Sequence, residues 1–175
     1  MASADLTTAE VAAIRGVLQR AFTAKPDGTF SDEDWVHALG GVHIVLDVDG
    51  RIAAHAAVVE RELHVDGRPV RTGYVEAVAT EPGEQGRGLG SIVMAEAADV
   101  IAAGFELGAL STGSPGFYER LGWRRWTGPS FVRTAAGLVR TAQDDDGILL
   151  LDLPGSPPID PAVPISCEDR AGDVW

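Results

Sequence analysis

Cysteine is nearly absent from this sequence, with Cys167 alone in 175 residues. One thiol cannot close a disulfide within the chain or supply a multi-cysteine zinc site, which excludes a cystine framework and paired-thiol redox chemistry. Lysine is equally scarce: Lys25 stands beside thirteen arginines. Fourteen basic against 26 acidic side chains give a formal charge of −12 and a pI near 4.6. No Lys/Arg stripe is present to follow a phosphate backbone, so no nucleic-acid partner is expected, and the charge selects for cations instead. No apolar run approaches the roughly 20 residues of a membrane-spanning helix. The stretch Met1 to Glu10 also lacks the basic and apolar regions of a signal peptide, so the expected location is cytoplasmic with no membrane partner. The four histidines, His37, His43, His55 and His64, show neither H-x-x-x-H nor H-x-H spacing. They are read as structural, and no metal is expected.

What is present reads as one α+β domain over 1–175, long enough to bury a core without staples. Thr7 to Glu10 has the form of a capping box, and Val11, Ile14, Leu18 and Phe22 follow at helical spacing. Lys25-Pro26-Asp27-Gly28 breaks the chain. Ser31, followed by Asp32, Glu33 and Asp34, starts a short helix expected to run through Leu39 and stop at Gly40-Gly41. The period then changes to two. His43–Val48, Ile52–His64 and Val70–Thr80 read as strands of an antiparallel meander, joined by Asp49-Gly50 and Asp66-Gly67, which suit type I′ turns.

After a glycine-rich stretch, Leu89, Ile92, Val93, Ala97, Val100 and Ile101 mark a helix face. Phe105–Ser111 reads as a strand, Gly113–Gly116 as a loop and Phe117–Leu121 as a short helix ending at Gly122. Phe131–Thr134 and Ile148–Leu153 are further strands around an acidic turn at Asp144–Asp146. Pro154–Pro164, with five prolines, is irregular and opens a C-terminal strap over 154–175. Trp123 and Trp126 fit either the core or a pocket wall.

The sequence of strand, glycine-rich turn and amphipathic helix is the strongest chemical feature. Backbone amides of such a turn, with the helix N-terminus, form a donor array suited to a pyrophosphate, and Arg87 adds charge. A P-loop is excluded because no lysine is there, and G-x-G-x-x-G is not met because Ser91 stands where its third glycine belongs. An antiparallel meander is also the wrong neighbourhood for a dinucleotide fold. The remaining pattern, Gln85-Gly86-Arg87-Gly88-Leu89-Gly90, resembles the Q/R-x-x-G-x-G/A signature of the GNAT acetyltransferases. Downstream, Phe117-Tyr118-Glu119-Arg120-Leu121-Gly122-Trp123 resembles the F-Y-x-x-x-G-[FW] segment of the same superfamily. A closer resemblance rests on Trp35-x-x-x-Leu39-Gly40-Gly41-x-His43, Gly73-Tyr74-Val75-Glu76-Ala77-Val78, Leu107-Gly108-Ala109-Leu110-Ser111 and Cys167-x-x-Arg170-x-Gly172-Asp173-x-Trp175. Together these look like the aminoglycoside 2′-N-acetyltransferases, over nearly the whole chain from the first helix on.

The resemblance implies a GNAT acyltransferase fold, a mixed and mostly antiparallel sheet flanked by helices, and a homodimer. It implies acetyl-CoA as cosubstrate, leaving as coenzyme A. Val78, Ala79 and Thr80 would run beside the pantetheine arm. Gln85, Gly86, Arg87, Gly88, Leu89, Gly90 and Ser91 would hold the pyrophosphate, and Tyr118 would face the sulfur. For the aminoglycoside it implies Glu76, Ala77, Ser111, Asp145, Asp173 and the terminal carboxylate of Trp175, so that the strap contributes to the substrate site. Asp27 would be a further acid for the drug. The chain departs from the family in two places: Glu168 stands where an aspartate is expected, and Lys25–Thr29 is a longer loop.

The chemistry needs a neutral amine, a polarised carbonyl and a protonated leaving sulfur. Glu76 is the candidate base, the Val78 amide the oxyanion donor provided that its strand splays or bulges, and Tyr118 the acid. Direct transfer in a ternary complex is expected, because Cys167 lies far in sequence from the cofactor motifs. The expected activity is acetylation of the 2′-amine of aminoglycosides, conferring resistance. Acetylation of another cationic amine, such as a polyamine or amino sugar, and a silent acyl-CoA-binding module are the alternatives.

Overall fold

The computed structural model describes residues 1–23, 29–155 and 159–175. The break predicted at Lys25–Gly28 lies outside them, as does Asp27. The chain forms two compact units, Met1–Val59 with Val75–Val100 and Glu60–Tyr74 with Ile101–Trp175. Two long strands, β2 (Arg51–Val65) and β3 (Arg68–Thr80), run from one into the other.

In the first unit, α1 (Thr8–Thr23) starts at the predicted capping box: Glu10 Oε2 accepts from the Thr7 N–H at 2.8 Å, and the Glu10 N–H donates to Thr7 Oγ1 at 3.2 Å. A second box caps α2 (Asp32–His37), where the Asp34 N–H donates to Ser31 Oγ and Asp34 Oδ2 accepts from the Ser31 N–H. That helix ends at His37 rather than at the expected Leu39. The chain turns over Ala38 and enters the left-handed region at Gly40, φ +88°. Ile14, Val17, Leu18 and Ala21 of α1 pack with Trp35, Ala38, Ala57 and Ala79, which places α1 and α2 on one face of β2 and β3. Strand β1 (Val42–Val48) pairs antiparallel with β2. The Asp-Gly turns adopt the positive φ that type I′ geometry demands, 52° and 77° at Asp49-Gly50 and 49° and 75° at Asp66-Gly67.

Gly41 sits against the β2 backbone, where a Cβ would lie 2.0 Å from the Val58 carbonyl oxygen. Gly41→Ala is expected to destabilise the fold by about 1–3 kcal/mol, because backbone cannot yield as a side-chain tip does. A thermal melt reads this as a Tm lowered by roughly 3–10 °C, and an unchanged Tm would contradict the contact.

Helix α3 (Leu89–Gly104) follows a single turn of 3₁₀ helix at Pro82–Glu84. Val93, Met94 and Ala97 are its buried positions in this unit, and Ile92, predicted to face the core, is 49% exposed. Val93, Ala97 and Ile101 of the predicted face are buried, Leu89 and Val100 are half-buried, and Met94 takes the core place expected of Ile92.

Among the described residues, the second unit holds strands of a mixed sheet in the order β5-β8-β4-β3-β2-β9-β6-β7. It is built from β4 (Leu107–Ser111), β5 (Arg124–Arg125), β6 (Ser130–Thr134), β7 (Gly137–Arg140), β8 (Ile148–Leu151) and β9 (Ile165–Glu168), together with the inner ends of β2 and β3. The parallel pairs are β3 with β4 and β6 with β9. Strand β4 starts at Leu107 rather than Phe105, because Phe105 packs its ring on the helix side of Gly73, where a Cβ would come within 2.8 Å of it. Helix α4 (Pro115–Glu119) takes in two residues of the predicted 113–116 loop, with Pro at its first position as helices favour. Its tail turns to Gly122 at φ +89°. Strand β8 stops at Leu151, two residues short of the prediction. Strands β7 and β9 were not predicted. All four residues of β7 are exposed, so no burial alternation marks it, and β9 follows the proline-rich stretch with only four residues. Trp123 and Trp126 resolve to core, at 3% and 2% exposure.

Candidate active site

Pairing of β3 with β4 covers Thr72, Gly73 and Tyr74. From Val75 onward β3 belongs to the first unit, and at Ala77 its backbone leaves β geometry for φ +53°. A non-glycine residue in the left-handed region of a strand is a strained, bulge-like break. It falls on the residue before Val78, where the sequence argument required a splay or bulge. Beyond Thr80 the chain passes through the Pro82–Glu84 turn into Gln85–Gly90. Gly86 and Gly88 have φ of 79° and 82°, and a Cβ on either would meet open space, so backbone conformation demands glycine here. Gln85 Nε2 donates to the Thr80 carbonyl at 3.3 Å, and Arg87 pairs with Glu84. Helix α3 begins at Leu89; the Ser91 and Ile92 N–H groups donate to the Gly88 carbonyl at 3.0 and 3.2 Å, and the N–H groups of Leu89 and Gly90 precede the first intrahelical acceptor. This loop and helix start have the form of an anion cradle. Glu76 is half-buried beside the bulge.

A chain of buried hydrogen bonds leads to that bulge. His55 Nδ1 lies 2.8 Å from the Ala77 carbonyl oxygen, His55 Nε2 is 2.9 Å from His43 Nδ1, and His43 Nε2 is 2.8 Å from Ser3 Oγ. His43 and His55 are 1% and 0% exposed. Burial pushes both below the usual histidine range, His55 down to about 4. The amino terminus adds to the effect at His43, and His43 to that at His55. Both rings are therefore neutral in the fold, while in the unfolded chain they titrate near the ordinary value of about 6.5. The unfolded state takes up protons first as pH falls, so the stability that the His55 ring contributes is complete above pH ~6.5 and is lost toward pH ~4, and His43 loses its share in the same direction. For His55 the expected loss is about 3 kcal/mol. Urea unfolding between pH 7 and pH 4 reads it, with His55→Asn expected to show the shallower slope. Equal slopes would contradict the neutral buried ring.

In the second unit, α4 sets Tyr118 edge-on to Phe117, centroids 4.9 Å apart, and against Trp123 at 6.4 Å. Tyr118 is 8% exposed, and burial pushes its phenol up to about 12, against the weaker opposing effect of a hydrogen bond with Thr112. Such a phenol keeps its proton at any physiological pH, as a general acid requires. Ser111 ends β4, and the following Thr112 N–H donates to the Gly147 carbonyl at 2.9 Å, tying β4 to the acidic turn.

The C-terminal strap returns through β9. Arg61, 4% exposed, donates from Nε to Glu168 at 2.7 Å and from Nη2 to the Val174 carbonyl at 2.8 Å, with its guanidinium 4.5 Å from the Tyr74 ring centroid. Glu168, the departure from the family pattern, is thus the carboxylate that anchors a buried cation holding the chain end. The Trp175 indole is 3% exposed and donates to Thr141 Oγ1 at 2.9 Å. Cys167 donates to the Val174 carbonyl at 3.2 Å, and burial pushes its thiol up to about 11, which leaves it a poor nucleophile.

The predicted acids part company. Asp145 accepts from Ser130 Oγ at 2.7 Å and from Arg140 Nη1 at 2.8 Å, and Arg140 holds its carboxyl below the usual range. Asp173 is exposed, with Oδ1 facing the Trp175 N–H at 3.4 Å. Its electrostatic neighbour is Asp144, whose carboxyl is raised first by burial and then by Asp173. Sequence reasoning missed Asp144, and its only trace was membership of the Asp144–Asp146 run. His43 and His55, read as structural, are buried and hydrogen-bonded as that reading requires; their pairing left no mark in the sequence, because a diagonal pair across two strands has no fixed spacing.

Residues 4–126 match the family described as the acetyltransferase (GNAT) domain. A GNAT family acetyltransferase from Brucella melitensis in complex with acetyl-CoA superposes with a TM-score of 0.61 at 20% identity, over 91% of this chain and 90% of that one. A GNAT family N-acetyltransferase from Escherichia coli in complex with CoA gives 0.63 at 18%, over 95% and 91%. The fold is the GNAT acyltransferase fold. An aminoglycoside 2′-N-acetyltransferase of Mycolicibacterium fortuitum is 43% identical over 153 residues, 85% of this chain and 78% of the relative. The chain belongs to the GNAT superfamily and, within it, to the aminoglycoside 2′-N-acetyltransferase family.

Proposed function

We propose that this protein transfers the acetyl group of acetyl-CoA to the 2′-amine of aminoglycosides and thereby confers resistance. The observation that carries the reading is the 43% identity to an enzyme of that activity over 85% of the chain. The local geometry supports it: a strained Ala77 precedes Val78, and a left-handed glycine turn feeds a helix N-terminus. The backbone N–H groups of the Gln85–Ser91 turn, apart from that of Ser91, which the Gly88 carbonyl holds, fit a pyrophosphate, with Val78, Ala79 and Thr80 along the pantetheine arm.

In this reading Glu76, directly or through a water, takes the proton from the 2′-ammonium, and the free amine attacks the thioester carbonyl. The oxyanion that forms is met by the Val78 N–H. The C–S bond then breaks as Tyr118 gives its proton to the departing sulfur; the acylated nitrogen sheds its remaining extra proton, a proton returns to the Tyr118 phenolate, and N-acetylated drug and coenzyme A leave. No acyl-enzyme is needed, in keeping with the inert Cys167. Glu76, Ala77, Ser111, Asp173 and the Trp175 carboxylate form the drug's contacts, with 154–175 as the strap that supplies the last two. Asp144 joins them, because burial and Asp173 raise its carboxyl and an ammonium beside it favours the charged form. Asp145, already held by Arg140, acts by shaping this turn. The reading keeps a cytoplasmic location and a homodimer, and among the described residues no helix is long and apolar enough to cross a membrane.

The test is free-thiol release from acetyl-CoA with tobramycin, spermidine or glucosamine as acceptor. Turnover with a kcat/KM highest for tobramycin is expected. A better polyamine or amino sugar would move the function to another cationic amine, and cofactor binding without thiol release from any acceptor would leave a binding module.

A further inference from the structure

We propose that His55, held by His43, is a positioning residue for acetyl transfer: its Nδ1–H pins the Ala77 carbonyl and so aims the Val78 N–H at the thioester oxygen. The inference rests on the proposed acetyl transfer.

The geometry is local to the first unit. In antiparallel register His43 faces Ala57 and Val45 faces His55, so the two histidines occupy diagonal positions on one face of β1 and β2. Their ring centroids are 5.2 Å apart, and Trp35 covers His43 at 5.7 Å. A carbonyl oxygen accepts only, so the 2.8 Å contact requires the proton on His55 Nδ1. In the neutral ring Nε2 is then an acceptor, so His43 donates from Nδ1 at 2.9 Å, and its bare Nε2 accepts from Ser3 Oγ at 2.8 Å. Each bond fixes the tautomer of the next, and the chain ends on one peptide group.

That peptide is the one that matters. The Ala77 C=O and the Val78 N–H belong to the same planar trans unit and point in opposite directions. Turning the carbonyl toward β2, where His55 sits, turns the N–H away from β2. Alanine does not hold φ +53° unaided, and a left-handed residue in a strand persists only where its surroundings over-determine it. The buried His55 donor is such a determinant. A histidine pair kept only for packing would be served equally by apolar rings, whereas this pair spends its polar atoms on one carbonyl.

Three readouts test the proposal. Imidazole ¹⁵N–¹H spectra of the unaltered protein should show both His43 and His55 as Nδ1–H tautomers, and an Nε2–H tautomer at His55 would overturn it. With acetyl-CoA labelled with ¹³C at the thioester carbonyl, the bound carbonyl should move downfield in the parent, return toward the free value in His55→Leu, and stay downfield in His55→Asn, whose amide can still donate to Ala77. Coincident shifts in His55→Leu and the parent would overturn the proposal. With a 2′-amine acceptor, His55→Leu should lower kcat about tenfold or more while KM for each substrate stays within about twofold, and His55→Asn should recover most of it. A parallel loss of kcat and of cofactor affinity, with no rescue by asparagine, would mean a merely structural role. Should the leucine variant fail to fold, the tautomer measured on the unaltered chain decides. The tautomer and carbonyl shift need no amine, so a parent that acetylates no aminoglycoside would break the proposed function and leave these two readouts to judge His55.

Discussion

Tyr118→Phe is expected to lower kcat by about 100-fold or more, with KM for the drug within about twofold of the parent. The change deletes one oxygen. The ring contacts to Phe117 at 4.9 Å and Trp123 at 6.4 Å survive it, and the buried residue loses a polar group rather than gaining one. Stability should fall only by about 1 kcal/mol, the worth of the lost hydrogen bond with Thr112, and a urea titration alongside the kinetics separates a lost proton from a lost fold. Because burial pushes the phenol up to about 12, the parent should show no alkaline fall in kcat caused by this residue below pH ~11. A large drop in kcat is then the loss of a donor and not a shift of a pH optimum. Equal kcat for variant and parent would remove Tyr118 from the mechanism.

Asp173→Asn is expected to raise KM for the drug about tenfold while kcat and KM for acetyl-CoA stay within about twofold, the worth of one charge-assisted hydrogen bond to an ammonium. Asparagine keeps the side-chain oxygen that faces the Trp175 N–H, so the turn at the chain end keeps its form. The substitution should also bring Asp144 closer to its ordinary carboxylate range, since Asp173 is the second cause of its rise after burial. Salt adds a check: Asp173 is exposed, so its attraction is screened, and the parent's KM should climb more steeply with ionic strength than the variant's. An unchanged KM and salt slope would take the strap out of the drug site.

Local rules carried the sequence a long way. The capping boxes at Thr7 and Ser31 and the turns at Asp49-Gly50 and Asp66-Gly67 depend on residues three or fewer positions apart, and the structure repeats them. The glycine turn before α3 was readable for the same reason, because Gly86 and Gly88 occupy backbone conformations that other residues avoid. The left-handed residue at Ala77 had no such mark, since alanine carries no turn preference, and the need for it came from chemistry rather than pattern. Its determinant, His55, lies 22 residues away in sequence. Strands β7 and β9 escaped because a short exposed edge has no alternation and a four-residue strand behind prolines has no length. Adjacent acids were the hardest to tell apart: Asp144 and Asp145 look alike in sequence, and Arg140 decides between them by occupying one.

The most direct test of the assignment is which amine is acetylated. Thiol release should be measured with tobramycin and kanamycin B, which carry a 2′-amine, against kanamycin A, which has a hydroxyl at that position. Turnover is expected with the first two and none with the third. Equal turnover with all three would place the acceptor elsewhere on the drug and contradict the 2′ assignment, leaving the fold as it stands.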